Sequence, residues 1–302
     1  MQIHNQTKAM ILGCFVVLFW ATVATAFKIA LSEICYVQLL LIASITALVV
    51  CFLELLRTKK LYLLKSLIKN KRELFKGAYQ GLLNPFLYYL LLFKAYSLLP
   101  AQIAQPLNYS WQVVLILMMA VFYKQKLSLL QIFGVLVSFT GILFLSSNSS
   151  ADTSGSLSVL GIVLALGSAF IWATYWISKL DNKVDSTVEL FVNFLFGSAY
   201  LIIISLFTPM EWPSVKALSA GIYVGCFEMG ITFILWAKAL QLATNRVSLA
   251  QITYLSPLLS LFLIHFILGE RIGYLTILGL LFVIAGILIS NVKMSKLAKT
   301  KA

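Results

Sequence analysis

Long apolar runs, each about as long as one bilayer crossing, alternate with short polar breaks along the whole chain. A spanning helix needs roughly 20 mostly apolar residues. Ten stretches meet that need: 9–31, 34–56, 74–95, 101–122, 129–146, 158–178, 187–207, 215–238, 245–267 and 274–292. We number these segments one to ten. Inside several of them, polar residues recur at helical spacing. In segment three, Gly77, Gly81, Asn84 and Tyr88 fall on one helical face. In segment eight, Gly221, Gly225, Glu228 and Thr232 hold the same places, 144 residues later. Segment four aligns Gln105, Asn108, Tyr109 and Gln112, and segment nine aligns Ser248, Gln251 and Tyr254. Polar stripes of this kind face the interior of a membrane bundle, where they bind neighbouring helices or line a pathway.

The correspondence between segments three and eight is part of a wider repeat. Gly134 and Gly141 reappear as Gly279 and Gly286, and Tyr109 reappears as Tyr254, each a shift of 145. Trp20-Ala21-Thr22 reappears as Trp172-Ala173-Thr174, a shift of 152. Two repeats of five helices are expected at 1–147 and 157–302, joined by an external linker at 148–156 that lacks Lys and Arg. Because five is odd, the second repeat must be inverted relative to the first. Inverted duplication builds carriers with a site at the repeat interface.

Composition agrees. The 302 residues are 61% hydrophobic and 11% charged, which leaves no room for a folded soluble domain. A net charge of +13 would suggest nucleic acid in a soluble protein, but here it sorts by side. Only Lys28, Lys94, Lys216 and Arg271 of the 23 Lys and Arg fall on the face opposite the N-terminus. The positive-inside rule places both termini in the cytoplasm, in a cell inner membrane. Ala24-Thr25-Ala26 resembles a signal-peptide cleavage site, but its segment continues apolar and carries the repeated Trp-Ala-Thr, so an uncleaved first helix is expected. Between Arg57 and Arg72, Leu61, Leu64 and Ile68 recur among lysines, which suggests a short interfacial helix on anionic lipid. The four cysteines show no metal or redox spacing.

Among ionisable residues Glu228 stands out, because it falls near the middle of a span. A charge there is costly unless it meets a partner or a cavity. It could hold a substrate ammonium, carry a coupling proton, or simply bind a neighbouring helix. The candidate substrate-binding residues are Trp20, Asn84, Tyr88, Asn108, Tyr109, Trp172, Tyr175, Glu228, Trp236, Gln251 and Tyr254. Pro257 interrupts segment nine and could free backbone groups in a cavity. His265 reads as a satisfied polar group. No nucleotide-binding loop, metal cluster or catalytic triad is present, so neither an enzyme nor a cofactor is expected.

Phe170-Ile171-Trp172-Ala173-Thr174-Tyr175, Gln251-Ile252-Thr253-Tyr254-Leu255-Ser256-Pro257 and Leu268-Gly269-Glu270-Arg271 resemble the drug/metabolite transporter superfamily, most nearly its ten-helix EamA-domain carriers. In the first repeat Gln125-Lys126 stands in place of Gly-Glu. Asn108-Tyr109-Ser110-Trp111 resembles the Asn-Tyr-x-Trp of bacterial aromatic amino-acid exporters, with Gln112 where those proteins have proline. The resemblance implies export of small metabolites or amino acids through a cavity between the halves.

The expectation is an all-α polytopic membrane protein of ten transmembrane helices in two inverted five-helix repeats. It would export a small molecule by alternating access, most simply an amino acid. Its partners would be the substrate, the bilayer and, as a candidate coupling ion, the proton, in a monomer or homodimer without nucleic acid. The alternatives are proton-coupled export of lipophilic cations and a non-transporting membrane assembly subunit.

Overall fold

The computed structural model describes residues 2–122, 124, 127–146, 157–179, 184–245, 249–250 and 252–300. The expected linker 148–156, Gln125-Lys126 and Gln251 lie outside the described residues. Among those described, every regular element is helical. Six helices are long and apolar enough to cross a membrane: Asn5–Leu31, Tyr36–Arg57, Ala101–Phe122, Val159–Ser178, Ser186–Ser205 and Val215–Leu242. Leu129–Leu145, Leu255–Leu268 and Tyr274–Ser290 are shorter apolar helices. The remaining segment, three, is built in pieces, Lys71–Gly81, Leu82–Leu87 and Tyr88–Leu98. Each of the ten segments thus holds helix, and the protein is an all-α polytopic membrane protein.

Segments three and eight are interrupted at matching points. Leu82–Leu87 is a widened, π-type turn containing Pro85. Proline has no N–H and its ring crowds the carbonyl four residues back, while the residue before it is disfavoured in the helical region. Asn84 accordingly takes extended angles, φ −143° and ψ 121°. Gly225–Gly230 forms the matching turn without a proline, bracketed by two glycines, and the Thr232 hydroxyl donates to the Phe227 carbonyl there. Segment four breaks at Ser110, between Ala101–Tyr109 and Trp111–Phe122. Segment nine breaks at Thr253-Tyr254, ahead of Pro257. Pro257 then sits in the first turn of Leu255–Leu268, where the missing donor costs no intrahelical bond.

The packing shows how the repeats are related. A Cβ on Gly134 would lie 2.5 Å from the Gly286 carbonyl oxygen, and one on Gly141 2.5 Å from that of Gly279. The earlier glycine of segment five meets the later one of segment ten, and the reverse, so these two helices run antiparallel. Because 134 matches 279 and 141 matches 286, the contact is its own image under a two-fold axis perpendicular to the helices. For spanning helices that axis lies in the membrane plane, which is inverted topology. Other pairs obey the same axis. Segment one packs on segments eight and nine, and segment six on segments three and four. Gly81 abuts Asn193 and Gly197 on segment seven, while Gly225 abuts Ala43 and Thr46 on segment two. Ser44 and Ser198 share a 2.8 Å hydrogen bond where segments two and seven meet.

Charged contacts gather at the two ends. At one end Lys28 Nζ donates to the Tyr96 and Leu99 carbonyls, both at 3.1 Å, and Lys216 lies 3.5 Å from Glu33. The Ser214 hydroxyl, then Lys216, hold the Glu33 carboxyl below its ordinary range against the opposing effect of burial. At the end that carries the N-terminus, Lys60 lies 2.7 Å from Asp185, the residue that caps segment seven by accepting from Thr187 and Val188 N–H. The expected basic helix spans Leu61–Lys69. Its Leu61, Leu64 and Leu67 pack on Leu55, Val188 and Val192 of the protein, leaving Tyr62 and Ile68 outward.

Candidate functional site

Segments one, three, four, six, eight and nine enclose a central cavity of about 110 Å³. Its lining carries polar groups, Tyr88, Gln105, Asn108, Tyr109, Gln112 and Glu228. It is also aromatic, with Trp20, Trp111, Trp172, Trp176, Phe233 and Trp236. The breaks described above bring these together. The turn at 225–230 carries Glu228, and the interruption at Ser110 falls between the Asn108-Tyr109 and Trp111-Gln112 pairs.

Glu228 is 8% exposed. Its Oε1 accepts a hydrogen bond from the Tyr89 hydroxyl at 3.0 Å, while its Oε2 is buried without a partner among the described residues. No Lys, Arg or His of the described residues lines the cavity. An uncompensated carboxyl at this depth is costly; the partner that would complete the site is a cation, either a proton or the ammonium of a guest. The Gln105 and Gln112 Oε1 atoms are likewise buried without partners among the described residues. Tyr88 and Asn108 belong to a relay of fixed groups. Tyr88 Oη donates to Asn108 Oδ1 at 3.1 Å, Asn108 Nδ2 donates to Ser168 Oγ at 2.8 Å, and Ser168 donates to the Ala165 carbonyl at 2.6 Å. The Tyr88 ring stacks on Trp172 with centroids 4.5 Å apart, and Trp172 stacks on Tyr175 at 5.4 Å.

Of the residues singled out from sequence, Trp20, Tyr88, Asn108, Tyr109, Trp172, Glu228 and Trp236 line this cavity. Tyr175 lines an adjoining one. Asn84 does not reach it. The extended backbone at 84 breaks the helical register that carried the face from Gly77 onward, and Asn84 is fully buried with both amide atoms unpartnered. Tyr254 is buried at the turn in segment nine, and its neighbours Ala250 and Thr253 line the cavity instead. His265 Nδ1 lies 2.9 Å from the Glu270 carbonyl oxygen, a satisfied polar group as expected. Glu270 itself accepts from Ala101 and Gln102 N–H at 3.0 and 3.2 Å, so the Gly-Glu ahead of segment ten caps the start of segment four. Sequence reasoning missed Tyr89 and Ser168. Tyr89 follows Tyr88 directly, and only the geometry of the interrupted helix shows that its hydroxyl reaches Glu228.

A duplicated, inverted bundle of apolar helices around a polar and aromatic cavity defines the class, a polytopic membrane transporter. The EamA-like transporter family model matches residues 7–147 and 159–292, and the chain belongs to that family. It is similar to YvbV, an uncharacterized transporter of Bacillus subtilis, at 25% identity over 74% of this chain and 73% of that protein. It is also similar to the aromatic amino acid exporter YddG of Ancylobacter novellus, at 26% identity over 61% of this chain and 64% of that protein. A protein of known crystal structure shares the fold at 20% identity, with a TM-score of 0.68 over 97% of this chain and 99% of its own. The family and these named relatives are transporters rather than enzymes, which implies a small-molecule substrate and a lipid environment.

Proposed function

We propose that this protein is a secondary transporter of the cell inner membrane, with both termini cytoplasmic, that exports small amphipathic metabolites, amino acids first among them. The units that move are the five-helix repeats at 1–147 and 157–302, and the central cavity alternates between the two faces of the membrane as they rock about the two-fold axis. The observation that carries this reading is Glu228. One carboxyl oxygen is held by Tyr89 and the other is unpartnered, in a cavity walled by tryptophans. The carboxylate suits a substrate ammonium or a coupling proton, and the aromatic wall suits an apolar side chain. The similarity to a protein named as an aromatic amino acid exporter supports the same substrate class.

Counterflow in proteoliposomes tests it. Labelled aromatic amino acids should accumulate with wild-type protein, and Glu228→Gln should lower the rate about 100-fold, the equivalent of losing one charge-assisted contact of about 2.7 kcal/mol. Normal transport by Glu228→Gln would end the assignment of Glu228. A second reading is export of lipophilic cations, favoured by the lack of any cationic side chain on the cavity wall among the described residues. It expects resistance to toxic cations that disappears in Glu228→Gln, with no amino-acid counterflow.

A further inference from the structure

A second cavity, of about 180 Å³, adjoins the first at the end of the bundle that carries the N-terminus. The two share a partition of Trp20, Trp172, Trp176, Phe233 and Trp236. Beyond that partition the second cavity is lined by Lys179 and Glu189, a chemistry absent from the first among the described residues. Lys179 Nζ lies 3.1 Å from Glu189 Oε2, and the two side chains are 17% and 6% exposed. The ammonium also donates to the Tyr175 hydroxyl at 3.2 Å and sits over the Tyr175 ring at 4.9 Å from its centroid. Asn193 Nδ2 donates to the same hydroxyl at 3.2 Å. Trp176 Nε1 is buried with no partner among the described residues.

An ion pair withdrawn from water costs more desolvation than it recovers unless its geometry and further contacts compensate. A pair that served only to join segments six and seven would be enclosed by protein and replaceable by apolar packing. This one faces a hollow. Its two charges are the complement of a zwitterion: a guest carboxylate for Lys179, aided by the Trp176 N–H donor, and a guest ammonium for Glu189. Aromatic faces on the partition would receive both the ammonium and an apolar side chain. Binding would exchange one internal ion pair for two charge-assisted contacts to the guest. Neither a lipophilic cation nor a simple carboxylate satisfies both residues at once, and either would leave one buried charge unmatched.

We infer that Lys179 and Glu189 form a zwitterion subsite on the cytoplasmic side of the tryptophan partition, which receives the ammonium and carboxylate of an α-amino acid before it passes to the Glu228 cavity. This rests on the carrier reading above and deepens it, since the central cavity has no cationic side chain among the described residues to pair with a carboxylate.

The test is competition against counterflow of labelled phenylalanine. The competitors are unlabelled phenylalanine, its decarboxylated analogue phenethylamine, and its deaminated analogue 3-phenylpropionate. Wild type should prefer phenylalanine over either analogue by about tenfold or more, the scale of one charge-assisted contact. Lys179→Met should weaken phenylalanine and phenylpropionate about tenfold and leave phenethylamine unchanged. Glu189→Gln should weaken phenylalanine and phenethylamine and leave phenylpropionate unchanged. Equal losses for all three competitors, or no losses, would mean that the pair only joins helices, and the subsite would be withdrawn. Because a single substitution leaves one charge buried, the neutral double variant Lys179→Gln/Glu189→Gln is made alongside. It should fold and bind phenylalanine and phenethylamine within about twofold of one another, because the group that read the carboxylate is gone. Titration of intrinsic tryptophan fluorescence with the same compounds reads binding without transport. Quenching by phenylalanine that weakens about tenfold in the double variant upholds the subsite even if counterflow fails and the carrier reading falls. No quenching in wild type overturns the subsite whatever the flux shows.

Discussion

The interface between segments five and ten and the central cavity are both built from repeat-matched residues, yet they treat the repeat in opposite ways. At the interface, Gly134 meets Gly286 and Gly141 meets Gly279, so each half contributes the same residues in the same role. At the cavity, Glu228 lines the space while its counterpart Asn84 is buried outside it. Close packing of backbones needs only small residues, and symmetry serves it well. Binding one asymmetric guest needs different groups on different sides. Symmetry is retained where the fold only has to hold and is abandoned where a charge is placed.

The strongest way to break this comparison is at the glycines. Gly134→Leu and Gly286→Leu should each be severely destabilising, by about 3 kcal/mol or more, because the added side chain meets the facing backbone as well as a serine hydroxyl. Folded yield and detergent thermal stability should fall equally for the two. A large difference between them would show that the interface is less symmetric than its glycines. The next effect is on transport. Tyr89→Phe removes the only hydrogen bond to Glu228 given by the described residues and should lower counterflow about tenfold at unchanged folded yield. Phe233, which occupies the repeat-matched position to Tyr89, has no hydroxyl, so the hydrogen bond to Glu228 has no counterpart in the other repeat.

The smallest effect is expected at Asp185. Burial works to raise its carboxyl, but Lys60 and the Thr187 and Val188 N–H groups outweigh burial and hold it below the ordinary aspartate range. A depressed carboxyl contributes stability that is complete above its unfolded value of about 3.9 and is lost as pH falls through the folded value. Asp185→Ala should cost about 1 kcal/mol, the usual worth of a helix cap, at pH 7. The gap between wild type and variant should close on acidification below about pH 4. A gap that widened in acid would contradict the sign.

Much of the fold was legible in the sequence, for definite physical reasons. Hydropathy alone marks spans, because lipid demands about 20 apolar residues whatever the neighbours are. The repeated glycines marked the duplication, but that segments five and ten meet at them, where nothing larger fits, is seen only in the fold. Glu228 was legible because a mid-span acid is rare. Asn84 was misplaced by the same helical extrapolation that placed Glu228, since Pro85 breaks the register in one repeat and has no counterpart at Met229 in the other. The Lys179–Glu189 pair was passed over because both residues sit at segment ends, where charge usually means solvent. Only the fold turns them inward together.

One counterflow series tests the central claim, that the chemistry resides in the half of the repeat that departs from symmetry. Wild type, Glu228→Gln and Asn84→Ala are reconstituted at matched folded amounts and assayed with labelled phenylalanine across pH. The account predicts that Glu228→Gln falls about 100-fold and loses its pH dependence, while Asn84→Ala stays within about twofold of wild type. Equal losses in the two variants, or a loss at Asn84 alone, would contradict it.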